Sequence, residues 1–116
     1  MNSRGRLGLV ERIASKEDRN ASVRNGGEQI GADVSVIAVD LAPREGPALH
    51  RHMYPEVVVV LEGQATFTLG GEERVVAGGE AVVAPTGVAH RCVNSGSGRL
   101  RQVNIHESPR FDSEWL

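Results

Sequence analysis

The stretch GPALHRHMYPEVVVVLEG, residues 46–63, places two histidines and a glutamate just before a long apolar run. His50 and His52 stand two residues apart, so on a strand they share one face, with Cα atoms about 7 Å apart. On a helix the same spacing would point the two rings in nearly opposite directions. The pair is therefore predicted to lie on a strand, where two imidazoles can converge on one metal ion.

Glu56 reaches the same ion only if the chain bends after His52. On a straight strand Glu56 would lie about 13 Å beyond His52, too far to reach the same ion. Pro55 removes a ladder donor and disfavours helix at Tyr54, so a bend is expected before Glu56 opens the next strand. The alternative interpretation is a solvated strand end whose polar residues bind nothing.

Length and composition indicate one globular domain. The chain has 116 residues, of which 40% are hydrophobic and 24% charged. A net charge of −2 gives no electrostatic reason to expect a nucleic-acid partner. No apolar run reaches the ~20 residues of a membrane span, and the N-terminus lacks the apolar core of a signal peptide. No membrane partner and a cytoplasmic location are therefore expected.

The core is predicted to be small. Cys92 is the one cysteine, so no intrachain disulfide can form. Aromatic residues make up only 3% of the chain, and Val and Ala dominate the apolar set. A partner subunit would complete the burial of such a core, so a homodimer is expected.

The spacing of glycines and prolines predicts an all-β fold. These residues, 14 and 5 in number, leave few gaps long enough for an ordinary helix. Residues 9–19 are the best helical candidate, but they lack an apolar stripe. After residue 30 the chain has the pattern of seven or eight short strands, including a hairpin at Gly70-Gly71, which is typical of a sandwich or barrel.

Three segments are expected along the chain. Residues 1–28 are polar and form either an edge strand or a partly mobile segment. Residues 29–107 carry the strand pattern and form the barrel. Residues 108–116, which we call the tail, are irregular in pattern and either cover the barrel mouth or pack on a second subunit through Arg110, Phe111 and Trp115.

A second motif follows in GEAVVAPTGVAHRCVN, residues 79–94. Its spaced positions are Gly79, Pro85, Gly87, His90 and Asn94. With the first motif it resembles the paired motifs of the cupin superfamily, over residues 44–94. The resemblance implies a single jelly-roll-like cupin β-barrel of short antiparallel strands. It departs from the family pattern at Arg44, where the family has glycine; the nearest glycine is Gly46.

The resemblance also implies a metal site inside the barrel. Its ligands would be His50, His52, Glu56 and His90, holding one divalent transition metal. Three imidazoles and a carboxylate suit Fe, Mn, Ni, Co or Zn. On an octahedral ion this set leaves two positions for water, a chelating small molecule or dioxygen, whereas tetrahedral zinc would have none.

Tyr54, Glu62 and His106 are the candidate catalytic acids or bases. Tyr54 either points into the cavity or is a partly buried aromatic at a strand end. His106 faces inward with Gln102 and Asn104 if the polar face of the last strand looks inward. If the apolar face does so, His106 is a surface residue, and this second arrangement is the one favoured.

Three further positions have more than one interpretation. Cys92 shares the face of His90 and is either a small core filler, which is favoured, or a thiol near the metal. Gln64 faces either the cavity or solvent. Asn94 is expected to fix the turn into the SGSG loop through side-chain bonds to the backbone.

Two main functions fit these features. The first is a metal-dependent enzyme acting on a small oxygen-bearing metabolite, of the oxygenase, isomerase or lyase type. The second is a non-catalytic cupin module that binds or senses a small ligand or a metal. A structural domain without metal is a third possibility, but it leaves four correctly spaced ligand residues unexplained.

Overall fold

The computed structural model describes residues 21–116, so the helical candidate over residues 9–19 lies outside the described residues. The described chain is built from short strands and one helical turn. In chain order they are β1 (Ala21–Asn25), α1 (Gly27–Ile30), β2 (Ser35–Leu41), β3 (His50–Arg51), β4 (Glu56–Glu62), β5 (Gln64–Leu69), β6 (Glu72–Ala77), β7 (Ala81–Ala84), β8 (His90–Asn94), β9 (Leu100–His106) and β10 (Glu114–Trp115).

The strands form two five-stranded antiparallel sheets. One has the order β1-β2-β9-β4-β7 and the other β10-β3-β8-β5-β6. The expected jelly-roll-like β-barrel is thereby confirmed. Strand β1 lies at one edge of the first sheet, while residues 1–20 of the predicted N-terminal segment lie outside the described residues. Among residues 21–116, no helix is long and apolar enough to cross a membrane.

The inner faces of the two sheets form the core. Along β4 buried residues alternate with half-buried ones, and β5 and β8 follow the same period-two pattern. The apolar core consists of Val58, Val60, Ala65, Phe67, Val76, Cys92 and Leu100. Cys92 is therefore a core residue, and burial raises the pKa of its thiol to about 11, so the thiol stays protonated at neutral pH.

The barrel interior has an apolar end and a polar end. Glu56 starts β4 and pairs with His106, the last residue of β9, while Val60 pairs with Gln102 further along the same two strands. In the other sheet, His90 starts β8 directly opposite His50 of β3. The strand register therefore gathers Glu56 and the histidines His50, His90 and His106 at one end of the barrel.

Tight turns hold these strands in register. Gly70 and Gly71 have φ angles of 55° and 88° and close the β5–β6 hairpin, as their sequence predicts. Asn94 accepts the N–H of Gly96 and donates to the carbonyls of Leu41 and Gly98, which fixes the loop after β8 as expected. The side chain of Gln64 is exposed and donates to Ser95, so it does not face the cavity.

The predicted homodimer stays a prediction. Val75 and Val83 are 63% and 52% exposed on β6 and β7, which lie at the outer ends of the two sheets. Two exposed valines on edge strands are compatible with a partner subunit, but they do not identify one.

The loop before the first histidine contains the departure from the family motif. Arg44 has a φ of 73° and is the one residue other than glycine with a positive φ in residues 21–116. Its N–H donates to the carbonyl of Asn94, and a Cβ at Gly46 would lie 1.9 Å from the carbonyl oxygen of Cys92. The loop thus keeps a left-handed residue at the family's glycine position, and Gly46 allows its close approach to β8.

Replacing Arg44 by glycine should stabilise the protein. The side chain is exposed, and removing Cβ relieves a left-handed conformation, so Arg44→Gly should raise the free energy of unfolding by about 0.5–1 kcal/mol. Urea denaturation measures this change. Arg91→Gly, the same substitution at an exposed position within β8, should instead destabilise. Loss of stability in both variants would contradict the strained conformation at Arg44.

Candidate metal centre

Four potential ligands converge at the polar end of the barrel. His50 lies on β3, His52 follows that strand, and Glu56 and His90 are the first residues of β4 and β8. One ligand atom from each lies within 4.8 Å of the others. Exposure is 8% for His50, 2% for His52, 3% for Glu56 and 4% for His90. The bend expected after His52 is present, because Oε1 of Glu56 returns to 3.0 Å from Nε2 of His52.

Backbone carbonyls orient all three imidazoles. Nδ1 of His50 donates to the carbonyl of Ala48 (2.8 Å), and Nδ1 of His90 donates to the carbonyl of Val88 (3.0 Å). Nδ1 of His52 donates to the carbonyl of Asp112 (3.0 Å). Since a carbonyl can only accept, each Nδ1 carries a proton, and in the neutral ring Nε2 keeps its lone pair for a metal ion.

The Nε2 atoms face a carboxylate. Oε1 of Glu56 lies 3.0 Å from Nε2 of His52 and 3.1 Å from Nε2 of His90. A ring nitrogen and a carboxylate oxygen both carry lone pairs, so they approach this closely only with a positive charge between them. Because Nδ1 already carries one proton, that charge is either a second proton on each ring or a metal cation bound by both atoms. Several imidazolium ions in one buried cluster would be costly, whereas a single divalent cation satisfies every donor atom. The donor set therefore fits a divalent transition metal.

The pKa shifts within the cluster follow from burial and from the contacts of Glu56 with its histidines. Burial acts to raise the pKa of Glu56, but hydrogen bonds from His106, His52 and His90 outweigh burial and hold the pKa far below its usual range. Burial lowers the pKa of His50. Burial also acts to lower the pKa of His90, but the hydrogen bonds to Glu56 and to the carbonyl of Val88, together with the charge of Glu56, outweigh burial and raise this pKa. The cluster thus presents a permanent negative charge to its histidines.

His106 lies inside the barrel, so the favoured prediction of a surface position is wrong. It is 4% exposed, and its Nε2 lies 3.4 Å from Oε2 of Glu56. The half-buried Val103 and Ile105 occupy the opposite face of β9. Strand β9 pairs with β2 and β4 on its two sides, and its polar face turns inward because Glu56 lies directly opposite His106. That register is not readable from sequence.

Tyr54 connects His106 to the tail. The N–H of Asp112 donates to the phenolic oxygen of Tyr54 (3.1 Å), which lies 2.7 Å from Nδ1 of His106. Because the carboxylate of Glu56 can only accept, the proton of His106 lies on Nε2, and Nδ1 accepts the hydroxyl proton of Tyr54. His106 therefore has the opposite tautomer to the three ligand histidines and donates to Glu56 instead of offering a lone pair to the metal.

Glu62 is not part of the site, so its candidacy as an acid or base is corrected. It is exposed at the last position of β4, six residues after Glu56. A strand rises about 3.3 Å per residue, which leaves Glu62 about 20 Å from the cluster along the strand.

A cavity of ≈ 220 Å³ opens beside the cluster. Its wall includes the four potential ligands, Ile37, Val39, Phe67, Gln102, Asn104, His106, Arg24, Ser113 and Trp115. Sequence reasoning missed Arg24, Asp112 and Ser113. Their approach depends on strand pairing at both ends of the chain, which leaves no local signal in the sequence.

Comparison with known proteins agrees with the observed fold. The profile of the family described as "Cupin domain" matches residues 38–106. No curated protein sequence matches the chain at a significant level. An oxalate oxidase solved in complex with glycolate is similar in structure, with a TM-score of 0.74 and 22% identity; the match covers 94% of this chain and 60% of that one.

Two further solved structures show how broadly the fold is used. Oxalate decarboxylase from Bacillus subtilis, studied for its Mn(II) centres, gives a TM-score of 0.75 at 19% identity, covering 92% of this chain and 30% of that one. Peruvianin-I, a cysteine peptidase from Thevetia peruviana latex, gives 0.73 at 15% identity, covering 89% and 70%. The chain thus spans less than two thirds of the oxidase and of the decarboxylase, and at these identities the likeness concerns the fold.

The family profile covers more than half of the chain and includes all four potential metal ligands. The two sequence motifs, the antiparallel barrel and this profile agree, and the chain belongs to the cupin domain family.

Proposed function

We propose that this cupin is a divalent-metal-dependent enzyme that acts on a small oxygen-bearing metabolite. The observation that carries the proposal is the convergence of three carbonyl-oriented imidazoles and a buried carboxylate beside a cavity. His50, His52, Glu56 and His90 would hold the ion. When bound, the ion would supply Lewis-acid or redox chemistry to a substrate that chelates it through oxygen, as oxygenase, isomerase or lyase reactions require.

The charges of the cavity wall favour a carboxylate substrate. Within the part of the chain that the structure describes, the wall carries one arginine, Arg24, and no lysine. Its guanidinium lies 5.3 Å from the ring centroid of Phe111, a contact that orients it on the tail side of the cavity. An arginine in this position can pair with one end of an anion whose other end binds the metal.

The names of the structural neighbours support the same substrate class. The oxidase and the decarboxylase are named for oxalate, and the oxidase was solved in complex with glycolate. Both molecules are small carboxylates able to bind one ion through two oxygens. Mn(II), named for the decarboxylase, belongs among the first metals to test. A cavity of ≈ 220 Å³ suits metabolites of this size better than drug-sized ligands, whose sites span about 300–1,000 Å³.

One observation favours the alternative of a non-catalytic binding module. The titratable side chains beside the ligands, Tyr54 and His106, are already engaged with each other, with Asp112 and with Glu56. Neither is available as a general base without breaking this chain of hydrogen bonds. A cupin that binds a metal and a small anion without turnover would have the same arrangement.

Both candidate functions require that the protein binds a transition-metal ion. Protein purified without chelator should contain one transition-metal ion per chain by elemental analysis. Glu56→Gln keeps the side-chain volume but removes the charge, and should weaken metal binding by at least about 100-fold in a competition titration. Glu62→Gln, an equivalent change at the exposed end of the same strand, should bind like the wild type. Equal affinities for the two variants would contradict the assigned site.

Metal affinity should fall as the solution is acidified. Coordination requires neutral imidazoles, and the pKa of His90 is raised above its usual value, so its proton competes with the ion in mildly acidic solution. Affinity should be level near pH 8 and fall steeply below about pH 6.5. Titrations with Zn(II) between pH 5 and pH 8 measure the profile, and a flat profile would argue against histidine ligation.

Arg24 provides a test of the substrate class. With the metal-loaded protein, glycolate and oxalate should bind more tightly than their neutral amides, glycolamide and oxamide. Arg24→Gln should weaken carboxylate binding about 10-fold or more and leave amide binding unchanged. Arg74→Gln, at an exposed hairpin position, serves as the control. Product formation in these assays supports the proposed enzyme. Binding without product, with each of Fe, Mn, Ni, Co and Zn, supports the non-catalytic binding module.

A further inference from the structure

The tail packs directly on the metal site. Strand β10 pairs with β3 so that Trp115 lies opposite His50, with their ring centroids 4.9 Å apart. The ring of Phe111 contacts that of His106 at 5.1 Å, edge to face. The sequence left two roles open for the tail, and in the structure it covers the histidine end of the barrel.

The peptide groups of one residue, Asp112, serve two sides of the site. Its carbonyl accepts Nδ1–H of His52, and Ser113 Oγ lies 3.1 Å from the same nitrogen. Its N–H donates to the hydroxyl oxygen of Tyr54, which lies 2.7 Å from Nδ1 of His106. Nε2 of the same His106 ring lies 3.4 Å from Oε2 of Glu56. Asp112 therefore bonds directly to His52 and is linked to Glu56 through Tyr54 and His106.

The orientation of His52 depends on this tail contact more than that of the other rings. His50 and His90 donate to carbonyls two residues before them, so their partners belong to the same local segment. The partner of His52 lies 60 residues away along the chain. If the tail leaves, His52 loses the acceptor that keeps its proton on Nδ1, and either nitrogen can then carry the proton.

A surface ion pair docks the tail. Arg51 lies between the two motif histidines and pairs with Glu114 at 2.9 and 3.0 Å, in a bidentate arrangement. The N–H of Leu116 adds a bond to the carbonyl of Leu49. Arg51 and Glu114 are 40% and 57% exposed, so both can be exchanged without disturbing the core.

We propose that the tail is a positioning element of the metal centre, so that metal affinity depends on tail docking. The carbonyl of Asp112 sets the tautomer of His52. The N–H of Asp112 acts through Tyr54 on His106, which donates to Glu56. This inference rests on the proposed metal-binding function. It assigns to Asp112, Tyr54 and His106 a role in preparing the ligands, distinct from any contact with substrate.

Charge reversal at the docking pair provides the test, with Co(II) as the probe. Arg51→Glu and Glu114→Arg should each weaken Co(II) binding by about 5- to 10-fold, because each replaces an attraction at the docking pair by a repulsion. The double variant, which restores the pair in reverse, should return to within about threefold of the wild-type affinity. Arg74→Glu, which breaks an exposed pair with Glu72 on β6, should stay within about twofold of the wild type.

Local electrostatics alone predicts a different pattern. A new glutamate beside the site would tighten cation binding and a new arginine would weaken it, so Arg51→Glu and Glu114→Arg would change affinity in opposite directions. Tail docking predicts that both single variants bind more weakly and that the visible absorption of bound Co(II) changes in both. Opposite signs, or single variants indistinguishable from the wild type, would overturn the inference.

Tyr54→Phe keeps the test decisive if a charge-reversed variant folds poorly, because it retains the ring against His52 and removes only the hydroxyl. It should weaken Co(II) binding about 10-fold in a protein that stays folded at room temperature. Unchanged affinity in this variant would overturn the inference while leaving the metal site intact. Failure of the wild type to bind Co(II) would instead remove the proposed function and this inference together.

Discussion

The geometry of the site depends on three hydrogen bonds between imidazole Nδ1 atoms and backbone carbonyls. They hold His50, His52 and His90 as donors through Nδ1, and Nε2 of His52 and of His90 then faces Glu56. A buried carboxylate surrounded by imidazoles is stable only if its charge is matched, by protons or by a metal ion. The carbonyls favour the second solution, because they direct three Nε2 lone pairs to one place.

The barrel supplies the rigidity that such an arrangement needs. Val58, Val60 and Phe67 form part of an apolar core at one end, and the same strands carry the polar cluster at the other. Glu56 and His90 are each the first residue of a strand, so the sheets position them directly. Ligands on strands are held more precisely than ligands on loops. His52, which follows β3, instead depends on the tail.

Much of this structure could be predicted from the sequence because the relevant signals are local. Period-two alternation and the Gly70-Gly71 turn predicted strands, the spacing of His50, His52 and Glu56 predicted a candidate metal site, and the resemblance to the cupin motifs added His90. The features that could not be predicted depend on pairing between distant segments. His106 faces inward because of its register with Glu56 on β4, and Asp112 reaches His52 across 60 residues of chain. Composition and spacing carry no information on such contacts.

The proton positions of the four histidines test the account most directly. Long-range proton–nitrogen NMR spectra of the ¹⁵N-labelled, Zn(II)-loaded protein resolve both nitrogens of each ring. We expect Nδ1–H with zinc on Nε2 for His50, His52 and His90, and Nε2–H with no zinc for His106. Coordination through Nδ1 in any of the three, or zinc on His106, would contradict this account.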